Sequence, residues 1–206
     1  MKKLKILVAC EFSGIVRDAF IKKGHDVISC DLLPTESPGP HYQGDVMDII
    51  NDGFDMMVAH PPCTYLSYAG TMYWNEKGRC EKRLEALEFF RKLWESPINK
   101  ICIENPKGCA SPTIAKYSQV IQPYYFGDSA IKTTWLWLKN LPLLQYNIEN
   151  DLFFNKTSIE KPEPIYIDKK GKKRHFVDSL GRNKDRQKIR SQFWLGIADA
   201  MSTQWS

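Results

Sequence analysis

No apolar run in this 206-residue sequence is long enough to cross a lipid bilayer, although 43% of the residues are hydrophobic. The basic start, residues 1–5, precedes a short apolar stretch, residues 6–9, which is too brief for the core of a signal peptide. The sequence also shows no internal repeat and no low-complexity tract. We therefore expect a cytoplasmic protein with one sizeable hydrophobic core and no membrane partner.

The six cysteines form neither a Cys-x-x-Cys pair nor a Cys/His spacing typical of a zinc site. Cys10, Cys30 and Cys102 lie in or beside apolar segments, where a reduced cysteine packs as a small hydrophobic residue. This distribution is typical of a reduced intracellular protein. The cysteines therefore predict no metal centre.

Positive charge is concentrated late in the chain. The net charge is +5, yet residues 165–190 alone contain ten Lys and Arg against three Asp. Lys172, Lys173 and Arg174 are consecutive within that segment. Such a cluster is typical of a polyanion contact, and a solvated basic loop remains an equally open interpretation.

Apolar segments alternate with segments of helical periodicity, which predicts an open, mostly parallel twisted sheet with helices on both faces. Strands are expected at residues 4–10, 26–31, 42–46, 55–59, 100–105, 124–126 and 134–138. A first helix should follow a Ser13 cap and stop at Gly24. Later helices are expected over residues 83–94, with Leu84 on the buried stripe, and over residues 188–204.

The strand at residues 55–59 leads into His60-Pro61-Pro62-Cys63. Two proline rings fix φ and remove two backbone donors, so Cys63 should sit on a stiff loop at the strand end. Open α/β sheets bind their ligands at that edge. A plain loop cysteine after a proline bend is the simpler interpretation of this stretch alone.

Other chemically capable residues follow neighbouring strands. Asp31 could accept hydrogen bonds from a ribose diol, or be a plain turn aspartate, and Asp45 has the same two interpretations. Glu104 follows a strand before Asn105-Pro106. A thiolate adds to an electron-poor carbon and a carboxyl group hydrogen-bonds a ring nitrogen, so Cys63 and Glu104 together suggest a reaction on a heterocycle. The first turn lacks Gly-x-Gly-x-x-Gly, although its helix N-terminus could receive a carboxylate.

In order and content these segments resemble the DNA cytosine-5 methyltransferases, which use S-adenosylmethionine. The resemblance implies a Rossmann-like class I methyltransferase fold. Its matching motifs are Phe12-Ser13-Gly14 for the cofactor, Asp31 for its ribose, Asp45 near its adenine, Pro61-Pro62-Cys63 with Ser67 for the nucleophile loop, Glu104-Asn105 for cytosine, and Gly196-Ile197-Ala198 with Met201 for the last motif. Cys63 and Glu104 are then catalytic, and Pro61 lies beside the cofactor.

The chain also departs from the family pattern. Val16-Arg17 stand where glycine is usual, and no Gln-x-Arg-x-Arg segment is present; Lys132-Thr133-Thr134 is the nearest stand-in. There is no room for a large target-recognition domain. The implied organisation is a catalytic domain over residues 1–149, a basic insert over 150–190 that contacts nucleic acid, and a C-terminal helix over 191–206 that packs back.

The resemblance implies attack of Cys63 on C6 of a cytosine, while Glu104 holds N3 and the exocyclic amine. A duplex base must be flipped to be reached, and Tyr65, Tyr68, Tyr73 and Trp74 could wall the pocket. The partner is then DNA, as a duplex with a flipped base or as a single strand, and the role is DNA modification such as restriction–modification. Three alternatives stay open: methylation of an exocyclic amino group, a free-nucleotide or single-strand substrate, and an inactive relative that only binds nucleic acid.

Overall fold

The structure of the protein is a computed structural model that describes residues 2–146, 161–168, 171, 173–174 and 193–206. Its centre is a seven-stranded sheet with the order β3-β2-β1-β4-β5-β7-β6. The strands are β1 Lys5–Ala9, β2 Asp26–Asp31, β3 His41–Gln43, β4 Met56–Ala59, β5 Lys100–Asn105, β6 Gln119–Ile121 and β7 Thr134–Lys139. A separate pair, β8 Tyr166–Ile167 and β9 Lys173–Arg174, forms a small antiparallel sheet.

Strands β1 to β5 are parallel, because crossover connections return the chain to the same end of the sheet before each strand. Helix α1, Ile15–Lys22, connects β1 to β2, and helix α2, Arg79–Trp94, precedes β5. β7 runs antiparallel between β5 and β6. The predicted fold class, a Rossmann-like class I methyltransferase fold, is confirmed.

Helices cover both faces of the sheet. One face packs α1 and the C-terminal helix α4, Leu195–Gln204, against the strands, with Phe20 and Ile197 fully buried. The other face packs α2, with Phe90 and Leu93 fully buried beside Trp137. Since each strand of such a sheet is buried on both faces, the strands have continuous apolar runs. A short helix α3, Ala110–Thr113, lies on the α2 side.

Several local predictions were wrong. The aromatic residues 124–126 form a 3-10 turn between Pro123 and Gly127, and the strand lies just before it at Gln119–Ile121. Helix α2 begins at Arg79, and Leu84 is 61% exposed because the buried stripe runs through Leu87, Phe90 and Leu93. Helix α1 has a left-handed Gly14 at its N-cap position, and the Ser13 hydroxyl one residue earlier accepts from the N–H of Ile15 at 3.4 Å.

Most of the predicted basic insert lies outside the described residues, as does Lys172. Lys173 is an exposed residue of β9, and Arg174 pairs with Tyr166 across the small sheet. The described part of the C-terminal helix starts at Leu195, and residues 188–192 lie outside the described ranges. The proposed division at residues 149 and 190 stays a prediction.

Candidate active site

Strand register brings the loops after β1, β4 and β5 to one edge of the sheet. Ala59 of β4 is opposite Ala9 of β1 and also opposite Ile103 of β5. The next residues along these strands are therefore neighbours, and they include His60 and Glu104. This edge is where open α/β sheets bind their ligands.

Cys63 is exposed on the loop that follows β4. The backbone N–H groups of Leu66 and Ser67 donate to its carbonyl oxygen at 3.1 and 2.9 Å, which closes a tight turn directly after the thiol. Ser67 then caps the next 3-10 turn, Tyr68–Tyr73, by accepting from the N–H of Ala69. The thiol is thus presented outward on a short, hydrogen-bonded loop.

The loop after β4 is tied to the loop after β5. Tyr68 N–H donates to the Lys107 carbonyl at 3.0 Å, and Cys109 N–H donates to the Leu66 carbonyl at 2.9 Å. Gly108 lies between these bonds, and a Cβ there would lie 2.2 Å from the Leu66 carbonyl oxygen. Only glycine permits this approach, so the two loops hold each other at a defined distance.

Asn105 makes a second tie between these loops. Its side-chain N–H donates to the carbonyl oxygen of Pro61 at 2.7 Å, and the residue is 98% buried. In the structure its amide nitrogen holds the proline bend, and the contact of Asn105 with cytosine that the resemblance implies stays a prediction.

Glu104 is buried beside His60, with Oε2 3.4 Å from the imidazole Nδ1. Burial raises the pKa of this carboxyl, but the positive charge of Lys132 and hydrogen bonding with His60 and Thr134 outweigh burial, so the pKa lies below its usual 4.5. Glu104 is consequently a carboxylate at neutral pH. Lys132 and Thr134, which belong to the segment suggested in place of the absent Gln-x-Arg-x-Arg, therefore both lower the pKa of Glu104.

Two buried polar atoms at this edge lack a hydrogen-bond partner among the described residues: Nε2 of His60 and Oδ1 of Asn105. The His60 ring also contacts Phe193, with ring centroids 4.6 Å apart, so the chain just before α4 reaches the nucleophile loop. Unpaired buried polar atoms cost stability, so a hydrogen-bonding group that reached these two atoms would stabilise this edge.

In the turn after β1, the carboxylate of Glu11 accepts hydrogen bonds from the N-terminus of α1. Glu11 is buried and accepts from the N–H groups of Val16 and Arg17, at 2.7 and 3.2 Å. Burial raises its pKa, although His60 and these N–H groups act in the opposite direction. The expectation that a ligand carboxylate uses this helix N-terminus is therefore wrong for these two N–H groups. Phe12 and Ser13 are half-buried beside them.

Asp31 and Asp45 face the same group of thiols. Burial, and then the negative charges of both aspartates, raise the pKa of Cys10 strongly and that of Cys30 to about 12. Asp31 at the end of β2 is opposite Gln43 of β3, and Asp45 follows two residues later, so both acids lie at this edge of the sheet while Cys10 and Cys30 stay protonated. Asp31 also accepts from Leu33 N–H and Asp45 from Met47 N–H, each at 2.9 Å.

Arg17 is fully buried, which the sequence did not suggest. Its guanidinium donates to the Thr35 hydroxyl at 3.1 Å and to the Ser37 carbonyl at 2.9 Å, and its Nε donates to Asp18 at 2.7 Å. It thereby fastens the loop that follows Asp31 onto α1. The only sequence signal was an arginine in place of a glycine.

The predicted site residues fall into two groups. The β4–β5 side has Pro61, Cys63, Ser67, Glu104, Asn105 and Lys132, and the side of β1 to β3 has Phe12, Ser13, Gly14, Asp31 and Asp45. Lys173 lies in the separate two-stranded sheet of β8 and β9. Within the described ranges, no cluster of three His, Cys, Asp or Glu could hold a metal ion, and no helix is long and apolar enough to cross a membrane.

No protein-family model and no curated protein matches the chain. Among solved structures it is similar to the methyltransferase EhMeth of Entamoeba histolytica, with a TM-score of 0.48 and 14% identity over 72% of this chain and 56% of that one. It is also similar to a DNMT2 mutant of Spodoptera frugiperda, with a TM-score of 0.42 and 15% identity over 79% of this chain and 58% of that one. The chain thus spans just over half the length of each of these proteins.

Proposed function

We propose that the protein transfers a methyl group from S-adenosylmethionine to C5 of cytosine in DNA. One observation carries the proposal: an exposed cysteine, Cys63, follows β4, a buried carboxylate, Glu104, lies near the end of the paired strand β5, and the loops after these two strands are tied together. A nucleophile and a hydrogen-bonding carboxylate on adjacent strand ends can engage one heterocyclic ring from two sides.

The residues on the side of β1 to β3 fit the proposed cofactor. Two neighbouring carboxylates, Asp31 and Asp45, offer acceptors for a ribose diol and an exocyclic amine, and the half-buried Phe12 adds an apolar surface. When bound there, S-adenosylmethionine supplies an electrophilic methyl group for C5. Because Glu11 already caps α1, the amino-acid end of the cofactor would use other donors.

Each remaining step belongs to the chain's own residues. The Cys63 thiolate forms a bond to C6, and the electron pair of the C5–C6 double bond moves toward C5. Once C5 carries the methyl group, its proton leaves to solvent water, the double bond re-forms and the sulfur–C6 bond breaks, which returns the thiolate. No net oxidation or reduction occurs.

Glu104 directs this addition. As a carboxylate it accepts a hydrogen bond from the exocyclic amine of cytosine, while Lys132 and His60 keep it ionised and oriented. A base inside a duplex must be flipped to reach both residues, at a cost of a few kcal/mol. A single-stranded substrate avoids most of that cost.

The test is mass spectrometry of nucleosides after incubation of DNA with the protein and S-adenosylmethionine. We expect 5-methylcytosine, and a covalent adduct on DNA that contains 5-fluorocytosine, because fluorine cannot leave C5 as a proton does. Cys63→Ser should lose both, whereas Cys80→Ser, which changes the other exposed cysteine, should retain both.

Other results would overturn the proposal. N4-methylcytosine or N6-methyladenine from a Cys63→Ala protein would indicate methylation of an amino group. Methylation of dCMP but not of DNA would change the substrate class. Absence of S-adenosylmethionine binding by calorimetry would leave only a nucleic-acid-binding relative.

A further inference from the structure

Four side chains form a mixed surface beside the nucleophile loop, which we name the aromatic–cation surface: Tyr65, Tyr73, Arg79 and Lys82. The Arg79 guanidinium lies over the Tyr65 ring at 5.1 Å and over the Tyr73 ring at 5.6 Å from their centroids. The Lys82 ammonium lies 5.6 Å from the Tyr65 centroid. Two cations and two rings thus alternate where the 3-10 turn Tyr68–Tyr73 meets the start of α2.

This surface adjoins the thiol. A Cβ built on Gly70 would lie 3.7 Å from the Thr64 carbonyl oxygen and 3.8 Å from Nη2 of Arg79. Gly70 thus lies between the backbone of Thr64 and the guanidinium, which itself lies over the ring of Tyr65, two residues after Cys63. A group that binds Arg79 would be held next to the reacting base.

The surface is partly open to a ligand. Tyr73 is 42% exposed and Lys82 is exposed, whereas the Arg79 side chain is 20% exposed and Tyr65 is half-buried. The Arg79–Glu76 separation is 3.8 Å, longer than the 2.7–2.9 Å of a strong charge-assisted hydrogen bond, and Glu76 is itself exposed. Arg83, by contrast, packs 3.9 Å over the Trp74 ring and donates to the Trp74 carbonyl, which is a structural role.

The chemistry of the surface suits a single strand of nucleic acid. Cations attract phosphates, and exposed rings stack on bases, which are accessible only when the bases are not stacked in a duplex. Residues 74–83 contain four Lys and Arg against two Glu, so the local charge favours a polyanion.

We propose that the aromatic–cation surface binds the single-stranded DNA that flanks the target cytosine, with phosphates on Arg79 and Lys82 and a base on Tyr73. The identity of the target base rests on the proposed function, but binding itself does not require methyl transfer.

The first test compares two double variants of one helix by fluorescence anisotropy with a short labelled single-stranded oligonucleotide. Arg79→Gln with Lys82→Gln removes the surface cations. Arg91→Gln with Lys92→Gln removes the same charges from exposed positions about 18 Å further along α2, at 1.5 Å per residue.

We expect roughly tenfold weaker binding for the first variant and near-wild-type binding for the second. The slope of log K against log salt concentration should fall in magnitude by about 1.4 for the first variant, since each phosphate contact on a single strand contributes about 0.7. Equal affinities and equal slopes for the two variants would overturn the proposal.

A second pair of variants, at Tyr73, separates loss of base stacking from loss of folding. Tyr73→Ser should weaken binding at least about fivefold, because base stacking on an aromatic ring is lost, and Tyr73→Phe should restore it. Thermal melting of both proteins checks that they fold. Equal binding by both, or equal or tighter wild-type binding to a duplex of the same sequence, would also overturn the proposal.

The two proposals fail separately. Wild-type protein that binds the strand as expected but yields no methylated nucleoside would retain the surface and reject the proposed function. If the protein makes 5-methylcytosine but all variants bind the strand equally, the proposed function would be retained and the binding surface rejected.

Discussion

The two halves of the strand-end edge are stabilised in different ways. In the half formed by the loops after β1, β2 and β3, each acid accepts from nearby backbone: Glu11 from N–H groups five and six residues on, and Asp31 and Asp45 from N–H groups two residues on. In the half formed by the loops after β4 and β5, Glu104 and Asn105 each contact residues 44 positions earlier.

The difference indicates that the β1–β3 half forms from contacts between residues close in the chain. The β4–β5 half depends on the pairing of distant strands. Local caps form whenever the turn forms, and they leave those carboxylates partly satisfied. The β4–β5 half exists only when two distant strands pair, and it retains unpaired polar atoms on His60 and Asn105. We therefore expect substitutions in the β4–β5 half to have the larger effects.

The largest effect should come from Glu104→Gln. Loss of the carboxylate removes the acceptor for the cytosine amine and the partner of His60 and Lys132, so methyl transfer should fall by about 10²–10⁴-fold. Glu85→Gln, at an exposed position of α2, is the matched control. Initial rates with labelled S-adenosylmethionine measure both, and a Glu104→Gln rate near that of the control would contradict the role of Glu104.

The pH dependence of the stability of Glu104→Gln gives a second test of the β4–β5 half. Because the folded-state pKa of Glu104 lies below 4.5, its ionisation stabilises the folded protein above that value, and this contribution is lost as the pH falls through the folded pKa. Urea unfolding at several pH values should show the stability gap between wild type and Glu104→Gln shrinking in acid. A gap that widens below pH 4.5 would contradict the sign.

Gly108→Ala should have the next largest effect, since the added Cβ meets the Leu66 carbonyl oxygen and separates the two loops. We expect a loss of about 1–3 kcal/mol in the free energy of unfolding, together with slower methyl transfer. Gly70→Ala adds the same atom where the nearest neighbour is 3.7 Å away, and it should change stability by no more than about 0.5 kcal/mol. Denaturant unfolding compares them, and equal losses would show that the loops are not tightly apposed.

The smallest effect should come from Asp45→Ala, which removes one local cap and should cost about 1 kcal/mol. Asp45→Asn retains the capping oxygen, so it should restore stability while still weakening S-adenosylmethionine binding in calorimetry. The exposed Asp52→Ala serves as the control. Were Asp45→Ala more damaging than Gly108→Ala, the ranking of the two halves would be wrong.

Much of the fold was predictable because buried strands need continuous apolar runs. β1, β2, β4, β5 and β7 lie within one or two residues of their expected positions. β6 was missed since its three residues are too few to form a pattern, and the aromatic residues that replaced it in the prediction lie in a turn bounded by Pro123 and Gly127. Leu84 was misplaced because a helical stripe can be drawn through more than one set of apolar residues.

The sequence predicted which residues belong to the candidate site better than it predicted their contacts. Cys63 and Glu104 could be singled out because each comes after an apolar run, with Pro62 directly before Cys63 and Pro106 two residues after Glu104. The role of Arg17 could not be predicted, since most of its partners lie 12 to 21 residues away. The tie from Asn105 to Pro61 likewise depends on the pairing of β4 with β5.

By itself the sequence determined the strands, the rigid bend before Cys63 and the acids at the strand ends, because apolar runs, proline geometry and short-range caps act between neighbours in the chain. Only the tertiary structure decided that Lys132, Thr134 and His60 act on Glu104, and that Arg79 lies over the ring of Tyr65, two residues after the thiol. The physical reason is that strand order and register set the distances between residues that are far apart in sequence.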